Sequence, residues 1–190
     1  MQSTKNILLV NPANFVFNKE TEISNAFQTT INESEDVLKR KVFTEFEEFA
    51  KTLQVKGINV FVFDDTAFPQ KPDAIFPNNW VSFHADGTVI LYPMYATNRQ
   101  AERKTDIIDT LRQHFKIINI IDLSVYENEG RYLEGTGSII FDHDNKITYA
   151  CISPRTDEGL FLDVCKLLQY TPIAFHAYDK NGKEIYHTNV

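Results

Sequence analysis

"PDAIFPNNWVSFHADGTVILYPM", Pro72 to Met94, reads as two apolar strands joined by a turn at Ala85-Asp86-Gly87, but its first strand opens unusually. Asp73, Asn78, Asn79 and Trp80, the chain's only tryptophan, crowd the entrance. A strand that merely packs would start on Val, Ile or Thr, because a buried amide or carboxylate costs free energy unless it is hydrogen-bonded. The entrance must therefore meet other protein groups or a ligand. A stretch of the same build lies downstream: "EGTGSIIFDHDNKITYACISPR", Glu134 to Arg155, with its turn at Asp142–Asn145. "FHADGTVILYPM" and "FDHDNKITYACIS" match in pattern, and each is followed by an arginine (Arg99, Arg155), a helix and a strand. The offset from Phe83 to Phe141 indicates a repeat of roughly 55–60 residues whose unit is hairpin–helix–strand.

The rest of the chain fits around these two hairpins. Ile7–Val10 is a short strand, followed by an irregular polar stretch to Asn32. "NESEDVLKRKVFTEFEEFAKTLQVKG" has Leu38, Val42, Phe46, Phe49 and Leu53 at helical spacing and stops at Gly57. Ile58–Asp64 is a buried strand. Thr97 with Gln100 forms a capping box for a helix whose apolar face is Ala101, Ile108, Leu111 and Phe115, and Lys116–Asp122 is the strand after it. Thr156 caps the next helix, with Leu160, Phe161, Val164, Cys165 and Leu168 on one side. Pro172–Asp179 is a strand, and Asp179–Gly182 turns the chain into a last strand, Glu184–Val190, which begins a third hairpin. No helix follows to cover it, so the chain is expected to be cut short, with an exposed C-terminal edge open to self-association.

At 190 residues and 43% hydrophobic, the chain can bury the core of a single domain, 1–190. A net charge of −7 opposes nucleic-acid binding, which needs a basic face for the phosphates. No apolar run approaches membrane-span or signal-peptide length. Two cysteines, Cys151 and Cys165, make no disulfide framework and no zinc motif, which suits a reducing cytoplasm. Both fall on core-facing positions and read as buried hydrophobes, not nucleophiles.

The repeat turns scattered polar residues into a constellation. Asp73, Asn78 and Asn79 start one hairpin and Glu134 and Thr136 start the other, while Arg99 and Arg155 follow the second strands and His187 lies in the returning third. Equivalent strand ends in symmetric architectures point to one place. Taken singly, Glu134 could simply pair with an arginine. "GTGS" leads into a strand, whereas a phosphate-binding fingerprint requires a helix. Asp142–Asn145 reads as a solvated hairpin tip before it reads as a metal site. His114 suits a helix C-terminus, and His84 and His176 suit packed strands.

Six segments, "NPANFVFNKETEISNAFQ", "PDAIFPNNWVSFHADGTVILYPM", "NRQAER", "LEGTGSIIFD", "YACISPRTD" and "YHTNV", together resemble the citrulline-utilisation hydrolase type of amidinotransferase. That family belongs to the guanidine-modifying superfamily, with arginine deiminase and dimethylarginine dimethylaminohydrolase. The resemblance implies an α/β fold, a pseudo-fivefold (pentein-like) propeller of which this chain holds about three units. It implies hydrolysis of a C–N bond in a guanidino or ureido amino acid by a cysteine thiolate with a histidine acid/base, and no cofactor or metal. By position, His187 would be the acid/base, Glu134 and Asp73 the carboxylates gripping substrate nitrogens, and Arg99 and Arg155 the holders of the substrate carboxylate. Asn78 and Asn79 stand where dimethylarginine hydrolases carry Glu and Asp, which would favour a less cationic, ureido-like substrate. The family's nucleophilic cysteine lies beyond the segments matched here. The competing expectation is a non-catalytic fragment or ligand-binding subunit that needs a partner chain.

Overall fold

The computed structural model describes residues 2–22 and 34–190; part of the irregular stretch and the start of the long-helix segment lie outside them. The architecture is mixed α/β, and the residues group into two compact units. The smaller comprises residues 3–77 and 96–102; the larger comprises 1–2, 78–95 and 103–190.

In the smaller unit, β1 (Asn6–Asn11) pairs in parallel with β2 (Asn59–Asp64), and α1 (Glu35–Val55) connects them. Glu35 and Asp36 occupy the first turn of α1, where the exposed N–H groups favour negative charge. Gly57, at φ +81°, ends the helix: its N–H bonds Gln54 O and that of Ile58 bonds Leu53 O, the paired closure of a left-handed cap. Phe46 and Ala50 are the buried positions of α1, whereas Phe49, expected on the apolar stripe, is exposed. Helical spacing alone did not separate the two phenylalanines.

The larger unit contains the two repeats. β3 (Val81–Phe83) runs antiparallel to β4 (Thr88–Leu91), and β4 runs parallel to β5 (Asn119–Asp122). β6 (Ile139–Asp142), β7 (Ile147–Cys151) and β8 (Thr171–Phe175) repeat the same order and directions. Each central strand is paired on both sides and is the most buried of its sheet, since its backbone is satisfied without water. Ile90, Tyr92, Leu133, Ile139, Ala150, Leu160 and Phe161 form one core between the second sheet, the first, and the helix α5 (Glu158–Leu168).

Several local expectations are corrected. The entrance of the first hairpin, Pro77–Asn79, is a 3-10 turn and not strand. The chain between β4 and β5 carries two helices, α2 (Thr97–Gln100) and α3 (Thr105–Leu111), and no side chain caps either. Thr97 lies inside the short α2, with Ala96 at its N-cap, so the expected capping box is not formed. Ile107, Ile108 and Leu111 are buried, but Ala101 is exposed. In α5 the cap is Asp157, one residue after Thr156, because its carboxylate reaches the N–H of Leu160. Glu184–Val190 is not a strand: apart from the single bridge Tyr178–Glu184, it is irregular and bonded through side chains and turns. His187 therefore sits in a loop, not in a ladder.

Candidate active site

Glu134 enters the site through its backbone. Its N–H lies 3.0 Å from Ser138 Oγ and 3.3 Å from Arg155 O, while Ser138 Oγ donates to Arg155 O and accepts from Thr156 Oγ1. These bonds hold a single helical turn, α4 (Gly135–Ser138), at the mouth of β6. The Glu134 side chain is fully buried (0% exposed). Oε1 accepts from the Tyr95 N–H at 3.0 Å; Oε2 is 2.7 Å from His187 Nε2 and 3.6 Å from Arg155 Nη1. A carboxylate taken wholly out of water requires such partners.

The loop that carries His187 is laced to the same turn. Thr188 N–H bonds Gly137 O, Thr188 Oγ1 donates to Ser138 O and accepts from the Cys151 N–H, and Ser153 Oγ donates to Tyr186 O. The His187 ring rests against Gly137, where an added Cβ would stand 2.8 Å from its Cε1 and 3.0 Å from Asn79 Oδ1. A Cβ on Gly135, at φ +43°, would stand 2.3 Å from Asn78 O. The "GTGS" glycines thus permit close approach of α4 to Asn78, Asn79 and His187. Arg155 is buried with its guanidinium 4.5 Å above the Tyr186 ring, which in turn lies 4.7 Å from the His187 ring. A histidine bonded to a buried carboxylate is fixed in orientation and equipped to pass a proton. Five of the expected site residues, Glu134, His187, Arg155, Asn78 and Asn79, share this neighbourhood.

Asp73 and Arg99 belong to the smaller unit. Asp73 sits in a turn closed by Ala74 N–H to Lys71 O and Phe76 N–H to Asp73 O. Its side chain is 21% exposed, with Oδ2 at 2.6 Å from Asn18 Nδ2 and 3.7 Å from Arg99 Nε. Arg99 is buried and makes a two-pronged pair with Glu102, Nε to Oε1 at 3.0 Å and Nη2 to Oε2 at 3.1 Å. Glu102, Asn18, Tyr186 and Ser138 were not singled out by the sequence. Glu102 had a signal, its i,i+3 spacing from Arg99.

Neither cysteine is set up as a nucleophile. Cys151 and Cys165 are both buried, and burial pushes both thiols up, the latter 2.9 Å from Thr148 Oγ1. The hairpin tip Asp142–Asn145 is a turn in which Asp142 accepts from the Asn145 backbone and side chain. Among the described residues, no group of three or more His, Cys, Asp or Glu side chains could hold a metal ion. No helix among them is long and apolar enough to cross a membrane.

A family model described as N,N dimethylarginine dimethylhydrolase, eukaryotic, matches residues 11–190. The chain belongs to this family. Dimethylarginine hydrolases lie within the guanidine-modifying superfamily that the motifs resemble, so the matched family is a neighbour there of the citrulline-utilisation type. Among solved structures, a substrate-bound mutant of the N-terminal domain of ArgZ, an arginine dihydrolase of the ornithine–ammonia cycle in cyanobacteria, aligns with a TM-score of 0.67 at 16% identity. The alignment covers 94% of this chain and 60% of that one. DDAH from Pseudomonas aeruginosa, a mutant complexed with citrulline, aligns with a TM-score of 0.65 at 15% identity, over 96% of this chain and 62% of that one. The family member thus spans about three-fifths of the length of these relatives, and at such identities the likeness establishes the fold. A search of curated proteins finds no match.

Proposed function

We propose that this family member is part of a cytoplasmic hydrolase that cleaves a C–N bond of a guanidino or ureido amino acid by cysteine–histidine covalent catalysis. The observation that carries the reading is the fully buried Glu134–His187 hydrogen bond of 2.7 Å beside Arg155. Known relatives support it, one bound to its substrate as an arginine dihydrolase and one complexed with citrulline. His187 delivers a proton to the leaving amine, held in place by Glu134, whose carboxylate also accepts substrate N–H groups. Asp73 grips substrate nitrogen, Arg99 and Arg155 hold the substrate carboxylate, and Asn78 and Asn79 bring groups that donate as well as accept. The nucleophile is a thiolate outside residues 1–190, because a thiol buried like Cys151 or Cys165 carries little thiolate. The same buried cysteines favour a second reading for these 190 residues alone, a ligand-binding part that works with a partner chain.

The test is calorimetry and an ammonia assay on the 190-residue chain. It should bind L-citrulline or L-arginine and release no ammonia. Glu134→Gln, which keeps the shape and removes the charge, should weaken binding roughly 10- to 100-fold. Turnover by the chain alone that disappears in Cys151→Ser would defeat the assignment of an outside thiolate.

A further inference from the structure

Asn18 falls in the first of the six resemblance segments but was given no role there, yet its side chain is almost fully buried and is bonded on both faces. Nδ2 donates to Asp73 Oδ2 at 2.6 Å and lies 3.3 Å from Asn98 Oδ1. Oδ1 accepts from Asn98 Nδ2 at 2.8 Å and from the Glu20 N–H at 3.1 Å. The Asn98 backbone N–H in turn bonds Glu20 Oε2 at 3.0 Å, and the Thr21 hydroxyl closes on Asn18 O at 3.2 Å. The amide is therefore gripped by residues 18–21 on one side and by α2 on the other, with its donor end aimed at one oxygen of Asp73.

This geometry asks for Asn in particular. Asp at position 18 would have the same shape and would keep the acceptor oxygen for Asn98 and Glu20. It would also place an oxygen 2.6 Å from a carboxylate oxygen, where no hydrogen bond forms unless a proton is shared. Arg99 Nε reaches the same Oδ2 from 3.7 Å, so Oδ2 is approached by two donors and the carboxylate plane is set by them. Asp73 is partly exposed, so its carboxylate is open to a ligand.

We infer that Asn18 is a positioning residue for the ligand-holding carboxylate: its amide fixes Oδ2 of Asp73, so that Oδ1 is presented in one orientation to a cationic or N–H-rich ligand. The inference rests on the reading of Asp73 as a substrate carboxylate, and the two are separable by experiment. With L-arginine as the probe, Asn18→Ala should weaken binding roughly 10-fold, the loss of one hydrogen bond to a charged group, and Asn18→Asp should weaken it further. The reversed pair Asn18→Asp with Asp73→Asn rebuilds the hydrogen bond with the charge on the wrong residue. It should recover thermal stability and not binding. If the reversed pair recovers binding as well, Asn18 is only a structural partner and the inference fails. Without ligand, the β-methylene couplings of Asp73 measured by NMR should report one side-chain rotamer in the unsubstituted chain and averaging in Asn18→Ala. A single rotamer in both overturns the inference. Binding of L-arginine that survives Asp73→Asn instead removes the role of Asp73, whatever Asn18 does.

Discussion

Two histidines of the larger unit, His187 and His84, each bond an oxygen at nearly the same distance, and the two oxygens differ in charge. His187 Nε2 faces the Glu134 carboxylate at 2.7 Å, with Arg155 behind it. His84 Nε2 faces the Ser82 hydroxyl at 2.8 Å, which itself bonds Tyr92 OH at 2.7 Å, and its ring meets Phe141 edge-on. Burial drives the His84 pKa down to about 4, with His143 and Lys146 adding to the effect and Asp86 opposing it. A hydroxyl satisfies a neutral imidazole but offers no charge to balance a proton, whereas a carboxylate does. The two sites show how an imidazole bonded to a hydroxyl differs from one bonded to a carboxylate: only the second has a charged hydrogen-bond partner.

The sharpest way to break this comparison is to remove the charge. Glu134→Ala should cost about 3–5 kcal/mol in urea unfolding, since it leaves Arg155 buried without its carboxylate; a cost below 1 kcal/mol would mean the pair contributes little to the fold. The next effect is a pH dependence. As pH falls from 6.5 towards about 4, the unfolded chain takes up a proton that folded His84 refuses, so stability present above 6.5 is lost on acidification. The loss should approach about 3 kcal/mol, and His84→Gln should flatten the difference between unfolding at pH 7 and pH 4.5. An unchanged profile in that variant would mean His84 is not the buried neutral base described. Smallest is Ser82→Ala, expected to cost about 1 kcal/mol because Tyr92 and His84 lose a shared neutral partner. A cost equal to that of Glu134→Ala would erase the distinction between the two sites.

The sequence made the repeat legible because turn residues and alternating apolar residues recur at one spacing, and both three-stranded sheets follow it. It also marked Glu134, His187 and Arg155, which the fold brings within 4 Å of one another in pairs through Glu134. What it misplaced depended on contacts between distant segments. The last seven residues look like a strand by composition, but Gly137 O takes the N–H groups of both Thr188 and Asn189 and Ser138 O takes the Thr188 hydroxyl, so no ladder forms there. Thr97 and Gln100 have the spacing of a capping box, yet the helix there is four residues long and stops before a second one starts. Asn18 gave no individual signal: its stretch matched as a segment but has no period, and its bonds to Asp73 and Asn98 form only once those residues arrive beside it.

The two cysteines leave the surface chemically quiet toward thiol reagents. Cys151 is enclosed by β7 and the carbonyl of Ile185, and Cys165 by α5 and the Thr148 hydroxyl, so the folded chain shows no ready thiolate to an alkylating dye. A single cysteine introduced at an exposed position, such as Lys180 in the turn after β8, is then the one site a maleimide finds in the native state. A dye placed there would report on the native protein, with the wild-type thiols serving as a built-in marker of unfolding when they begin to react.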